Sequence, residues 1–540
     1  MAKKNIVIIG AGFSGVYATK KLAKHFKSNP DVSITLIDKH SYFTYLTELH
    51  EVAAERVPEN AIQYDLQRLF FNQKNVHLIT DTITTIDYKK RIIAGKNGQY
   101  PYDYVVLGIG SEPNDFGTPG VKEYGFTLGS WEQAIKLKNH IRKAVLNGSI
   151  EQDPEKRASL LSIAVVGSGF TGTETIGEIC DWKNSLAHEY KIDPSEIKLS
   201  LIEMAPTIMN MMDRKDADKA ENYMIKKGIN IMKNTGVIGV HDGYIDLKNG
   251  NSFKTSTLIW TAGVKANSIT SKLGLELSRS GRIAVNETME SKSQDNIFVV
   301  GDVSLYDADG SGKGEPQIVQ GAEASAQTAV TNIIAKCNSK PMVPYKANYQ
   351  GFMVSLGSTY GVAFILNKFH LSGFFAIAMK HIVNLMYCIQ IFSGYYLIQY
   401  MLHEFFRTKN NRNLMFGHIS RSGNVLWTVP LRVFLGISLI GINFANISSI
   451  LKILLTICGT FLIVGLFTCT TGFITFILGI ILCSNGYANT IGWIIPTSLA
   501  CMNGSGRSFG LDKWIVPYIQ KKLGKMRYGN VKSIYKSNHN

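Results

Sequence analysis

Hydrophobic positions follow two different rhythms along this chain. Up to about residue 340, short unbroken apolar runs alternate with longer mixed stretches: Ile6 to Ile9, Ser33 to Ile37, Val76 to Thr80, Tyr104 to Leu107, Ser162 to Val166, Leu199 to Ile202, the run from Leu258 and Asn296 to Val300. Runs so short and so rich in β-branched residues predict parallel strands buried on both faces, hence an α/β architecture. Further short strands are expected at Thr82 to Asp87 and around a hairpin turn at Lys96-Asn97-Gly98, and Ser41 to Val57 reads as a loop leading into a helix. Beyond residue 370 the rhythm changes. Leu371 to Leu402 is apolar and aromatic but broken by Lys380, His381, Gln390 and Gln399, which suits one or two helices lying in a membrane interface. Val433 to Ser449 and Ile453 to Gly506 contain no Asp, Glu, Lys, Arg or His. A bilayer crossing takes about 20 such residues. Four spans are therefore expected, about 425–446, 449–469, 471–486 and 488–503, broken at Asn446, Thr470-Thr471-Gly472 and Asn485-Gly486.

Charge adds a direction to this pattern. The 540 residues carry 57 basic and 41 acidic side chains, a net +16. Arg407, Lys409, Arg412, His418 and Arg421 precede the apolar region, and Lys513, Lys521, Lys522, Lys525 and Arg527 follow it. An even number of spans returns both basic ends to one side, the cytoplasmic one by the positive-inside rule. No helix-turn-helix, zinc-finger or RNA-binding pattern accompanies the basic excess, so an anionic membrane and not nucleic acid is the expected partner. The seven cysteines, Cys180, Cys337, Cys388, Cys458, Cys469, Cys483 and Cys501, form no CxxC and no ligand-spaced cluster, so neither a disulfide framework nor a metal site is expected. The first strand begins at about residue 5, which leads to the expectation of no signal peptide and a cytoplasmic N-terminal part.

Chemistry enters at the ends of the strands. Ile6 to Ile9 runs straight into Gly10-Ala-Gly12-Phe-Ser-Gly15. In this GxGxxG spacing the first glycine makes a tight turn, the second lets backbone approach a pyrophosphate, and the third brings the following helix against the strand. The helix N-terminus then receives the negative charge. Asp38 closes the next strand, where an acid reaches a ribose hydroxyl. The pattern returns 157 residues later as Gly167-Ser-Gly169-Phe-Thr-Gly172, with Glu203 as its acid. Glu203 lies further from Gly172 than the usual 20 or so residues, which reads as an insertion at Trp182 to Glu196. A carboxylate there repels a 2′-phosphate and favours NADH over NADPH. Three more strand ends complete the set: Gly108-Ile-Gly110-Ser111, Trp260-Thr-Ala-Gly263 and Gly301-Asp302, the last placed to bond a flavin's ribityl chain or approach its phosphate.

GAGFSG, LGIGSEPNDFGTPG, GSGFTGTETIGE, IWTAGVKAN and NIFVVGDV, in this order, resemble the two-dinucleotide-binding-domain flavoproteins, and among them type II NADH:quinone oxidoreductase, over about residues 5–400. The resemblance implies FAD on Gly10, Gly12, Gly15, Asp38, Gly110 and Asp302, and NADH on Gly167, Gly169, Gly172 and Glu203. Gly263 and Gly301 belong to the same cofactor-binding turns. It implies that Glu174 is the catalytic acid near the stacked nicotinamide and flavin rings, though an acid in a helix's first turn also has a purely structural reading. Glu174 and His381 are the candidates for proton delivery to the quinone. The family's quinone-side AQxAxQ reads Val319-Gln320-Gly-Ala322-Glu-Ala324 here, so Gln320 is retained and the second glutamine is not; the usual Gln-Pro becomes Leu46-Thr47. These departures touch the acceptor, not the donor.

The expected organisation is two Rossmann-like domains followed by an interfacial segment and an all-α membrane domain. Residues 1–118 and 266–340 would form the FAD domain, 119–265 the NADH domain, 341–424 the membrane-docking segment and connector, and 425–540 the multi-pass domain with its basic tail. That last region begins Pro430-Leu-Arg432-Val-Phe-Leu-Gly436 and ends Gly504-Ser-Gly506-Arg507-Ser-Phe-Gly510-Leu-Asp512, similar to a DoxX-type four-helix module. Arg507 and Asp512 read there as interfacial anchors, with pairing at the interface or contact with a quinone head as the other readings. A type II enzyme so extended resembles the dehydrogenase used in flavin-based extracellular electron transfer, which reduces demethylmenaquinone. The implied partners are NADH, a membrane quinone (menaquinone or demethylmenaquinone), the lipid bilayer and a second copy as a homodimer. Two other readings are open: a sulfide:quinone oxidoreductase, which needs a cysteine pair for which only Cys180 and Cys337 are available in the soluble part, and a membrane redox sensor without turnover.

Overall fold

The computed structural model describes residues 4–278, 280–310, 312, 314–347, 349–406, 408, 412, 428–442, 448–502, 505–507 and 510–528. The chain divides into two compact units, Met1–Leu414 with the last few residues, and Met415–Lys532.

The first unit contains two five-stranded parallel sheets. One aligns Ile297–Val299, Tyr104–Leu107, Lys4–Ile9, Val32–Asp38 and Val76–Thr80 in that spatial order; the other aligns Gly125–Thr127, Thr257–Trp260, Ser162–Val166, Lys198–Ile202 and Asn230–Met232. In both, the central strand is the one preceding a GxGxxG, and it is buried almost throughout. The chain passes between the sheets through an antiparallel pair, Ser111–Pro113 against Val264–Ala266. The glycine turns after residue 107 and after residue 260 therefore lead into one shared ribbon.

Several expectations are corrected at the level of elements. The helix Phe170–Tyr190 continues without a break through Trp182, which is buried, so the extra length before Glu203 is largely two more turns of the same helix and does not begin after it at Trp182. The polar residues of that stretch, such as Asn184, His188 and Glu189, are its solvent face. Within Leu371 to Leu402 there is a pair of helices, Phe374–Tyr387 and Gly394–Met401. Polar side chains of the first helix are buried with Ala376 and Ile377, and large apolar ones of both helices are exposed. His381 and Asn384 face inward, as does the amine of Lys380, while Phe374, Phe375, Ile382, Met386, Ile389, Ile398 and Met401 are exposed. Arg412, expected in a solvated connector, is buried with its Nη2 donating to the Ala54 carbonyl (2.6 Å). Arg407, Lys409, His418 and Arg421 lie outside the described residues.

The second unit consists of helices Thr428–Gly441, Ser449–Val464, Thr468–Leu482, Ala488–Ile491 and Ile494–Cys501, and Asp512–Tyr528 carries the basic tail. Asn446 lies outside the described residues. The kink at Asn485-Gly486 falls where the pattern puts it, with Gly486 at φ +92°. The break between the second and third helices does not. It occurs at Gly465 (φ +70°) and Phe467 (φ +47°), and Thr471 and Gly472 lie inside the third helix. The reason is Asp512, whose carboxylate accepts from the Thr468 N–H (2.9 Å) and Oγ1 (2.7 Å) and so caps that helix three residues earlier than its glycine suggests. Asp512 is thus a buried cap and not an interfacial anchor. Two stretches of the described chain are long and apolar enough to cross a membrane, Phe374–Phe392 in the first unit and Thr468–Ile491 in the second.

Candidate functional site

Both cradles form for the same physical reason. Gly10 (φ +99°) and Gly167 (φ +96°) hold backbone angles that side chains rarely adopt, and a Cβ on either would strike the neighbouring glycine-turn backbone. Gly15 and Gly172 press the cradle helices against the carbonyls of Gly10 and Gly167. The middle glycines are different. A Cβ on Gly12 or Gly169 would meet no protein atom within 4 Å, so the space in front of each loop is open to a ligand. That space, at the carboxyl end of a parallel strand and the N-terminus of a helix, fits a dinucleotide pyrophosphate.

The two acids have equivalent positions. Asp38 accepts from the N–H of Ala11 (2.7 Å) and of His40 (2.8 Å). Glu203 accepts from Ser168 N–H (2.8 Å), Ser168 Oγ (2.6 Å) and Ala205 N–H (2.8 Å). Each carboxylate ties its own strand end to the residue after the first cradle glycine. Around the first cradle, Gly110 (φ +69°) leads to Ser111, whose Oγ donates to Asp302 Oδ2 (2.7 Å), and Gly301 N–H donates to Ser325 Oγ (2.9 Å). Burial raises the Asp302 carboxyl, while Ser111 and Arg282 act in the other direction. Asp302 also lines a cavity with Arg282, Gly301, Tyr306, Ala322 and Tyr345. Thus Gly10, Gly12, Gly15, Asp38, Gly110, Gly301 and Asp302 gather at the strand ends of the first sheet, and Gly167, Gly169, Gly172, Glu203 and Gly263 at those of the second. Gln320 is occupied on both sides of its amide: Nε2 donates to the Gly351 carbonyl (2.9 Å) and Oε1 accepts from Gln350 N–H (2.7 Å).

Glu174 sits in the first turns of the second cradle helix, 16% exposed, and its Oε1 accepts from Ser355 N–H (3.1 Å) and Oγ (3.2 Å). Burial pushes its pKa up to about 7, against the pull of Lys380 and Ser355. Behind it lies a charge network that pattern reading does not expose. Arg56, 2% exposed, binds Glu51, Glu178 (3.2 Å) and Glu404 (3.0 Å). Lys380 binds Glu51 (2.8 Å), Glu48 (2.9 Å) and Ser355 Oγ (3.3 Å). Asn384 Nδ2 donates to Glu48 (2.7 Å) and to Tyr400 Oη (2.9 Å), and His381 Nδ1 shares Tyr400 Oη (2.8 Å). The five carboxyls of Glu48, Glu51, Glu174, Glu178 and Glu404 outnumber the cations Arg56, Lys380 and Arg412. Burial lifts Glu48 strongly and Glu404 to about 8; Glu51, despite the same burial, is held ionised by Arg56 and Lys380. The network therefore retains protons at neutral pH. Burial lowers His381 to about 3, so its ring is neutral there and is no source of a proton by titration. The one sequence signal for this cluster is Lys380-His381 within an apolar run, since a charge in such a place needs a partner.

Two dinucleotide cradles joined by one ribbon, with the acid Asp302 after the edge strand Ile297–Val299 of the first sheet, define a pyridine-nucleotide oxidoreductase. The pyridine nucleotide-disulphide oxidoreductase family matches residues 4–327, and the chain belongs to that family. It is 27% identical over 385 residues to a type II NADH:quinone oxidoreductase of Staphylococcus haemolyticus and 28% identical over 385 residues to that of Staphylococcus aureus, in each case covering 71% of this chain and 94% of the relative. The fold is similar to NDH2 from Plasmodium falciparum in complex with NADH (TM-score 0.66, 18% identity, 76% of this chain and 100% of that one) and to the sulfide:quinone oxidoreductase of Aquifex aeolicus (TM-score 0.59, 17% identity, 72% and 91%).

Proposed function

We propose that this NADH-dependent flavin oxidoreductase hands its electrons to a quinone in a membrane on which its first unit docks. The observation that carries the reading is the segment 374–401, which turns Lys380, His381 and Asn384 toward the protein together with Ile377 and Tyr396 and leaves Phe374, Phe375, Ile382, Met386, Ile389, Ile398 and Met401 exposed. Such a face is stable only when an apolar phase covers it, and a lipid-soluble acceptor arrives from that phase.

FAD fits the first cradle, held by Gly10, Gly12, Gly15, Asp38, Gly110 and Asp302, and NADH the second, held by Gly167, Gly169, Gly172 and Glu203. When bound, the flavin accepts a hydride and passes the electron pair onward. The chain's own work is to orient and shield: the cradles position both adenine nucleotides, Glu203 disfavours a 2′-phosphate, and Glu174 holds a proton close to neutrality beside the ring site. We further propose that residues 425–540 form a DoxX-like multi-pass module with its basic ends on the cytoplasmic side, and that the acceptor is menaquinone or demethylmenaquinone, feeding extracellular electron transfer. The sulfide alternative lacks support from the thiols, since Cys180 lies against the Lys227 carbonyl and Cys337 lies beside Lys4 and Tyr104.

The test is steady-state NADH oxidation by the full-length protein with a soluble menaquinone analogue, with NADPH and sulfide as alternative donors. Turnover with NADH is expected; turnover only with sulfide, or none with any donor, overturns the reading. In the same assay Glu174→Gln is expected to lower the rate by about tenfold or more, on the scale of a lost acid–base group. Unchanged NADH oxidation and quinone reduction would remove Glu174 from the mechanism.

A further inference from the structure

The net conversion NADH + quinone + H⁺ → NAD⁺ + quinol adds two hydrogens to oxygens at opposite ends of one ring. The hydride accounts for the electron pair and one hydrogen. The second hydrogen arrives as a proton, so the acceptor side needs an acid within reach of water. Glu174 belongs to the nucleotide side, on the second cradle helix.

Glu323 occupies a different place and has no part in the account above. It lies on the helix Val319–Cys337, three residues after Gln320 and on the same face, within the altered quinone-side motif. Its Oε2 accepts a hydrogen bond from Tyr387 Oη (3.4 Å), and its Oε1 is buried with no hydrogen-bond partner among the described residues. Tyr387 ends the docking helix, beside the outward-facing Met386, and its ring lies 6.3 Å from Phe13 of the first cradle. Tyr17 and Lys21 approach from the first cradle helix, and Tyr17 Oη donates to Gln327 Oε1 (2.8 Å) in an exposed contact. Burial pushes the Glu323 carboxyl up to about 7, and Tyr387 and Lys21 act to lower it. A carboxyl at that value is protonated often enough to donate and is a carboxylate often enough to reload.

We propose that Glu323 is the acid that protonates one oxygen of the acceptor, reloading from water at the Tyr17 and Gln327 edge. The carboxylic O–H bond breaks and an acceptor O–H bond forms. The electron pair comes from NADH through the flavin, and the carboxylate left behind recovers its proton from solvent. This assignment rests on the quinone reading, so its test must separate the two.

Full-length protein in detergent is assayed with NADH and either the menaquinone analogue or ferricyanide, which takes electrons without protons, from about pH 5.5 to 9. In wild type the quinone rate is expected to fall as pH rises through about 7, where Glu323 loses its proton. Glu323→Gln should lower the ratio of quinone to ferricyanide rate about tenfold or more and abolish that alkaline limb, while Glu323→Asp retains the limb. Bound flavin and ferricyanide reduction report that the variants are folded, and Tyr387→Phe, which removes only the hydrogen bond, should move the limb. A Glu323→Gln protein with wild-type ratio and pH profile, or a limb that disappears in Glu174→Gln instead, overturns the inference. Wild-type protein that reduces ferricyanide and never the quinone overturns the acceptor reading itself, and this assignment with it.

Discussion

Arg56→Ala is expected to destabilise the first unit by about 3–5 kcal/mol, the cost of removing one partner from a buried ion network. Its guanidinium, 2% exposed, joins Glu51, Glu178 and Glu404, which come from three separate segments of the chain. The sign with pH follows from those carboxyls. In wild type, Glu51 is held below its ordinary value, so its contribution is present above the unfolded pKa of about 4.3 and lost as pH falls through the folded one. Without Arg56, burial raises the same groups, and the folded state is penalised at neutral and alkaline pH and relieved on acidification. Thermal unfolding followed by flavin release should therefore show a large deficit at about pH 8 that shrinks toward pH 5. A deficit that is small and independent of pH would mean that Arg56 does not hold these elements together.

The second large effect separates the two cradles. Gly12→Val and Gly169→Val put a Cβ where no protein atom lies within 4 Å, so each variant is expected to fold and lose only its own ligand. Gly12→Val is expected to purify without flavin. Gly169→Val is expected to keep its flavin, reducible by dithionite, while its apparent affinity for NADH drops on the order of 100-fold, equivalent to about 2.7 kcal/mol. The same change at Gly15 or Gly172 is a poor test, because a Cβ there would collide with the Gly10 or Gly167 carbonyl and disturb the fold itself. Absorbance at the flavin band and NADH titration distinguish the outcomes. A Gly12→Val protein with full flavin, or a Gly169→Val protein with unchanged NADH affinity, would place the ligands elsewhere.

The residues whose role is to be absent from a space were legible in the sequence. Gly10, Gly12 and Gly15, and their counterparts Gly167, Gly169 and Gly172, meet local backbone demands at fixed spacing, and Asp38 and Glu203 follow from the strand each one ends. Glu48, Glu51, Arg56, Ser355 and Glu404 were not legible, because their meaning lies in contacts across more than 300 residues of chain, such as that of Lys380 with Glu51. Lys380 itself was visible only as an interruption. Helix limits failed where a distant side chain decided them: Asp512 stops one helix and starts another from 44 residues away, which no local reading of Thr471-Gly472 anticipates. Conversely, the polar stretch from Trp182 reads as an insertion after the helix because its polar residues hide the fact that one face of the continuing helix is core.

The paired anchoring of Asp38 and Glu203 has a consequence for how cofactors arrive. Each carboxylate already ties its glycine turn, through the amide of Ala11 or Ser168, to its own strand end, held in turn by the amide of His40 or Ala205, so the turn has less freedom left to surrender when a phosphate settles into it. Association should thus resemble filling a rigid mould, with modest entropic cost and a rate governed by encounter and not by rearrangement.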